Sequence, residues 1–380
     1  MFSFGRTMGV MRKEFREMVR DWMFVRLALV APTVVYLLFA YGLVVDVENL
    51  PVGILDMDAT PASRQLCGEL FSTRYFRRRL LASSEQEIIE GIQSGELRLG
   101  VIIPPGFQRK LEQGQFSPIQ VWIDGMLPSR AQVTRSYISG VLTNYNTRVI
   151  ARYMERSGVG GMEALGGINA KIRYWYNPAL RGSNYLAPGL FMIVMILFPA
   201  LLASLSVVRE KELGSILAVY SSPLTKFEYI IGKTLPHALS SLLNFQFLFL
   251  CARILFDVPF RGNLLVLEGV TFIFILYAMS IGFFVSVLVR TQVAAMLTTT
   301  VATLLPGFLY SGLIVPLSSM GPEAEAISTL FGATYYVSLC RIIFLRGGNA
   351  QIILHNVIPI VGFTVALYAL TFMRFKKRVA

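Results

Sequence analysis

VREKELGSILAVYSSPLTKFEYIIGK, Val208 to Lys233, is the stretch that decides the fold. It is charged and carries Gly214 and Pro223, yet long apolar runs flank it, residues 185–207 before and 230–255 after. A run near ~20 residues crosses a hydrocarbon core of roughly 30 Å. A polar turn between two such runs predicts a helical hairpin whose ends meet at one membrane surface. Arg209, Lys211, Lys226 and Lys233 place that surface in the cytoplasm, where Lys and Arg accumulate.

Outward from the hairpin, further apolar runs follow at 264–288, 292–315 and 352–373, and one precedes, 27–45. Between the first run and the hairpin lie the mostly polar residues 46–184. The expected fold class is an α-helical polytopic membrane protein, six transmembrane helices with an inserted α/β extracytoplasmic domain. Arg6, Arg12, Lys13, Arg16, Arg20 and Arg26 precede the first run, and Arg374, Lys376, Lys377 and Arg378 follow the last. Six crossings return both termini to the cytoplasm and put 46–184 outside. The first run lacks a small-residue cleavage site and reads as an uncleaved anchor. Residues 318–348 are broken by Gly321-Pro322, Gly332 and Gly347-Gly348 and read as a re-entrant segment. Arg341 and Arg346 would each cost at least ~2.5 kcal/mol at the bilayer centre, so they are expected at the outer interface or shielded by protein.

Composition agrees. Mean hydropathy is +0.58, and 15% of residues are charged against ~25% in soluble domains. The net charge of +12 sits at the predicted membrane edges, not in one patch, which argues against nucleic acid. Cys67 is alone in the outer domain, so no disulfide closes within it. His237 and His355 are far apart, and no metal-ligand spacing occurs.

Residues 1–26 form the cytoplasmic lead. Met8, Met11, Phe15, Met18 and Trp22 recur at helical spacing, with Arg12, Lys13, Arg16 and Arg20 off that stripe. This predicts an amphipathic helix in the interface, its basic residues toward lipid phosphates. The outer domain alternates strands (51–58, 97–107, 118–125, 171–178) with helices (60–72, 85–95, 129–155), an α/β pattern. Asp56, Asp58 and Asp124 end strands as turn formers, with no nucleophile or base beside them. Inside the spans, Asn244, Gln246 and Glu268 are polar, and Thr299 lies in a small-residue run. Asn244, Gln246 and Thr299 are the substrate-pathway candidates, although Asn and Gln also join helices.

Four segments carry a resemblance: NYLAPGLF (184–191), the opening stretch, YSGLIVPLSSM (310–320) and ATYYVSLCRIIFLRGG (333–348). In this order they resemble the type-two ABC export permeases, the subgroup with a large periplasmic domain after the first span. Cys340 departs from the small or apolar residue expected there. The resemblance implies a permease in the bacterial inner membrane that moves an amphipathic or apolar substrate outward, a drug or a lipid-like molecule. It implies a partner ABC ATPase in the cytoplasm, carrying ATP and Mg, and a second permease copy or paralogue. Whether a periplasmic adaptor docks is left open. It assigns ATPase coupling to Glu210, Lys211, Glu212, Gly214, Pro223 and Glu228, within a coupling loop at 208–230. The five later helices fall in 185–376. This chain is expected to bind no cofactor and to be no enzyme: the near match Gly232-Lys233-Thr234 has Phe227 where a phosphate loop needs its first glycine. The competing class is a membrane scaffold or sensor whose outer domain binds a partner; co-purification with a soluble ATPase separates the two.

Overall fold

The structure is a computed structural model that describes residues 3–43, 49–115, 117–125, 128–157, 182–314, 317 and 320–375. The chain divides into two compact units, Met1–Val44 with Gly182–Ala380, and Val45–Arg181.

In the first unit, α1 (Phe4–Arg20) and α2 (Trp22–Val25) lead through a π-helical turn (Arg26–Val30) into α3 (Ala31–Leu43). Two side chains bond the Leu29 carbonyl in this turn: Thr33 Oγ1 donates to it at 2.8 Å and Asn244 Nδ2 at 3.1 Å.

The second unit opens with β1 (Leu50–Asp56), then α4 (Pro61–Phe71), β2 (Phe76–Leu81), α5 (Glu85–Gln93), β3 (Leu99–Ile103), α6 (Phe107–Glu112), β4 (Gln120–Ile123) and α7 (Pro128–Ser157). Its sheet has the order β2-β1-β3-β4. The β1 pairings with β2 and β3 are parallel and the β3–β4 pairing is antiparallel. Parallel neighbours need helical crossovers, which α4 and α5 supply. Leu50, Val52 and Ile54 join Leu66 and Tyr137 in the larger core, while Leu55 and Ile102 meet Ile88 on the other face. Asp56 and Asp58 are structural. Asp58 accepts backbone N–H from Gly106 (2.7 Å), Phe107 (3.1 Å) and Gln108 (3.0 Å), capping α6. Burial works against its ionisation, but the Thr60 hydroxyl and these N–H groups hold its pKa below the ordinary value. The expected strand at 171–178 lies outside the described residues.

The first unit resumes with α8 (Gly182–Glu212), α9 (Ile216–Ser221), α10 (Lys226–Ile254), α11 (Leu264–Leu288), α12 (Gln292–Tyr310), α13 (Pro322–Ser328), α14 (Gly332–Arg341) with a second π turn (Ile342–Arg346), and α15 (Ala350–Arg374). The helix α8 is the axis, buried throughout its most apolar stretch. It nearly touches α11 by backbone: a Cβ built on Gly282 would fall 2.0 Å from the Ala200 carbonyl oxygen.

By length and composition α8, α10, α11, α12 and α15 can cross a membrane, and the count reaches six if α13 with Gly332–Arg346, bent by 87°, is one broken span. The first expected crossing is a shorter apolar helix, Arg26–Gly42, interrupted by the π turn. Residues 44 and 45 of that expectation lie outside the described residues. Arg341 is shielded by protein: it donates to the carbonyls of Gly312 (2.9 Å) and Leu313 (3.0 Å) and stacks 3.6 Å over the Tyr185 ring.

Candidate functional site

The charged stretch that opened the sequence reading is mostly helix. Arg209 to Glu212 are the last turn of α8, where a loop was expected, because nothing breaks the helix before Gly214. Gly214 has φ +73°, a backbone conformation that a side chain disfavours. The short α9 follows, and Pro223 lies between it and the start of α10. There Thr225 and Glu228 close a capping box: Thr225 Oγ1 accepts from Glu228 N at 3.2 Å, and Glu228 Oε2 accepts from Thr225 N at 2.7 Å.

Glu228 is turned inward. Its side chain has no exposure, and Oε1 accepts from Ser3 N at 2.6 Å and pairs with Arg6 at 3.0 Å. Arg6 also donates to the Pro223 carbonyl at 2.8 Å. One carboxylate and one guanidinium thus pin the beginning of α1 to the turn between α9 and α10.

Glu210 is likewise turned inward. It is 6% exposed. Its Oε1 accepts from Lys13 Nζ at 2.5 Å and pairs with Lys233 at 3.2 Å. Its Oε2 accepts from the Tyr229 hydroxyl at 2.5 Å. Lys233, 1% exposed, also donates to Glu14 Oε1 at 2.6 Å and to the Ser206 carbonyl at 3.0 Å. Glu14 and Glu210 against Lys13 and Lys233 make a neutral quartet shared by α1, α8 and α10. Burial opposes the charge on Glu14, but Lys233 outweighs it, with help from His237, and holds the carboxyl down at about 2. Burial likewise works against Lys13, and the Glu210 hydrogen bond and charge outweigh it and raise its pKa.

The other predicted coupling residues hold helix ends. Lys211 Nζ donates to the Ser286 carbonyl in the last turn of α11. Glu212 is exposed, and its Oε2 accepts from Gln292 N and Nε2, both at 2.9 Å, at the start of α12. So the end of α8 fastens α1, α10, α11 and α12. What it offers outward is Leu213, 70% exposed, and Leu217 on α9, 53% exposed.

The pathway candidates separate. Asn244 is 1% exposed and joins α10 to the π turn, with Nδ2 also 3.2 Å from Thr33 Oγ1. Thr299 is fully buried inside this chain. Gln246 is exposed and donates to Glu268 Oε1 at 3.3 Å. Among the described residues no three His, Cys, Asp or Glu side chains gather as metal ligands.

The predicted stripe of α1 also divides. Met18 faces inward, but Phe15 and Trp22 are 61% and 63% exposed, and the other buried residues of α1 are Thr7 and Glu14. The sequence signals for the quartet were Lys233 and His237, four residues apart in a helix that is otherwise mostly apolar there, and Glu14 within a basic helix. Neither signal names its partner.

The chain is similar over its full length to two proteins of Escherichia coli (strain K12). The "Probable multidrug ABC transporter permease YbhS" is 29% identical over 379 residues, 100% of this chain and 98% of that one. The "Probable multidrug ABC transporter permease YbhR" is 25% identical over 377 residues, 99% of this chain and 100% of that one. The "Inner membrane transport permease YhhJ" of the same strain is 25% identical over 333 residues, 87% of this chain and 86% of that one. The family described as ABC-2 family transporter protein matches residues 21–373. The chain belongs to the ABC-2 family of transporter permeases.

Proposed function

We propose that this chain is the membrane-spanning subunit of an exporter, driven by ATP and Mg on a separate cytoplasmic ATPase, and that its substrate is amphipathic or apolar. Both termini and α9 lie in the cytoplasm, residues 46–184 lie outside as an α/β domain, and α13–α14 re-enters from the outer side. The bacterial inner membrane is the site, and a second permease copy or paralogue completes the route. An adaptor on the outer domain is compatible with this reading and not required by it.

The observation that carries the reading is the construction of the turn between α8 and α10. A short apolar-faced helix is held between Gly214 and Pro223, and the end of α8 beside it is bonded to four other helices. A push on α9 is therefore delivered to α1, α10, α11 and α12 together. The sparse charge on the helix faces suits a substrate with little net charge of its own. The relatives named as multidrug permeases support the same substrate class.

The test is association. The full chain is co-expressed with its partner cytoplasmic ABC ATPase, and both ATPase recovery and transport-coupled hydrolysis are measured. Leu217→Arg is expected to abolish recovery and stimulation while leaving the chain inserted and the outer unit folded. Unchanged recovery and unchanged transport in that variant would remove the docking assignment.

A further inference from the structure

A cavity of about 530 Å³ opens between α1, the residues just after it and the end of α8. Most charges on its wall are already matched within the chain: Lys13 with Glu210, and Arg209 with Asp21. Two at the rim are matched loosely or not at all. Glu17, its side chain 54% exposed, has only a 3.6 Å contact with Lys13, which Glu210 already holds. Arg20 forms no ion pair among the described residues. These two stand three residues apart on one helix, so they are neighbours on its surface. An apolar wall of Trp22, Phe24 and Leu213 adjoins them.

The cavity also reaches a buried group that lacks a partner. His237 lines it, is 0% exposed, and neither ring nitrogen has a hydrogen-bond partner. Its Nε2 lies 3.4 Å from Glu14 Oε2, a loose contact. An ionised carboxylate only accepts, so the imidazole proton belongs on Nε2, and Nδ1 is left as an acceptor without a donor. A buried polar atom left in that state is costly.

We infer that this cavity binds a zwitterionic phospholipid with a primary ammonium headgroup, of the phosphoethanolamine type. The phosphate meets the Arg20 guanidinium, and the ammonium donates to Glu17 and, deeper, to His237 Nδ1. The acyl chain follows Trp22, Phe24 and Leu213. The opposed rim charges select a zwitterion over an anion. The acceptors select an N–H-bearing ammonium over a choline, which has no proton to give. The inference rests on the membrane location in the reading above and is independent of what is transported.

The test is native mass spectrometry of the full chain released from detergent micelles. Equimolar phosphatidylethanolamine, phosphatidylcholine and phosphatidylglycerol with matched acyl chains are offered together. The ethanolamine lipid is expected to be retained about tenfold over the choline lipid, the scale of one charge-assisted hydrogen bond. Glu17→Gln should remove most of that preference, whereas Arg20→Gln, which takes away the phosphate partner common to all three lipids, should lower the retention of all of them; both residues are exposed, so the fold persists. Equal retention of ethanolamine and choline lipids, preference for phosphatidylglycerol, full preference in Glu17→Gln, or undiminished lipid retention in Arg20→Gln would overturn the inference. Complete displacement by soluble phosphoethanolamine would assign the site to a free headgroup compound and overturn the lipid. No ATPase is present, so a failure of docking at α9 leaves this result readable.

Discussion

Lys233 has three ammonium protons and three acceptors around it: Glu14, Glu210 and the Ser206 carbonyl. Such a group is fully matched in place and costly once a partner goes. Lys233→Met leaves Glu14 buried with only the loose 3.4 Å contact of His237, and is expected to destabilise the first unit by about 3–5 kcal/mol. Thermal unfolding of the full chain in detergent reads the loss. Adding Glu14→Leu should recover most of it, since a well-packed apolar pair replaces a buried ion pair at little cost. No recovery would show that the charges do more than match each other. A pH dependence follows, with a definite sign. The folded pKa of Glu14, about 2, lies below its ordinary value of 4.5, so its stabilisation is fully present above 4.5 and lost as pH falls through 2. The melting temperature should therefore drop across that acid window, and the part of the drop due to Glu14 should be missing in Glu14→Gln.

At the scale of elements, the seating of α1 depends on one residue of α10 that has no side chain. A Cβ built on Gly232 would lie 2.7 Å from Val10 Cβ and 3.3 Å from the Thr7 carbonyl oxygen. Gly232→Leu is expected to lift α1 from α10 and expose Thr7, which is 4% exposed in the intact fold. A cysteine at position 7 should then react with a maleimide at least severalfold faster than in the unsubstituted background; equal rates would mean that α1 is held from elsewhere. This contact shows why the sequence was legible in part. The runs that became α8, α10, α11, α12 and α15 were read from apolar length alone, because length is what a bilayer demands. The strand β2, FRRRLL, went unread because the alternating apolar signal is missing: it is an edge strand whose three arginines are exposed. The first apolar run did not announce its π turn, since Asn244, which donates to the Leu29 carbonyl there, lies more than two hundred residues away in sequence. The burial of Glu210 and Glu228 was not legible, because a carboxylate at a span end is usually solvated. Their burial depends on α1 folding back over them, and no local pattern records that contact.

For the whole molecule, two arrangements follow from the proposed function, and each has its own readout. The first is orientation. With α9 in the cytoplasm and the sheet-bearing unit outside, a membrane-impermeant reagent added to intact cells should label a cysteine at Ser84 and spare one at Ser222; the reverse pattern would invert the topology. The second is pairing. A permease whose route lies between two copies must present an apolar face that its own fold leaves uncovered. The face is available on α12, where Val293, Leu297, Val301, Leu305 and Leu309 recur every fourth residue and are each at least 55% exposed. Thr299, a substrate-pathway candidate on the same helix, is fully buried against this chain's own helices and cannot meet a second copy. Lipid also covers such faces, so exposure alone does not decide between lipid and a partner copy; proximity does. A cysteine at Val301 is expected to form a disulfide between copies under mild oxidation in the membrane, and a cysteine at Thr299 is expected to form none. Cross-linking at Leu297 and Leu305 should accompany that at Val301, because one helix face carries all three. If none of the three cross-links in a complex that still transports, α12 faces lipid, and the route must run within one permease or along another face.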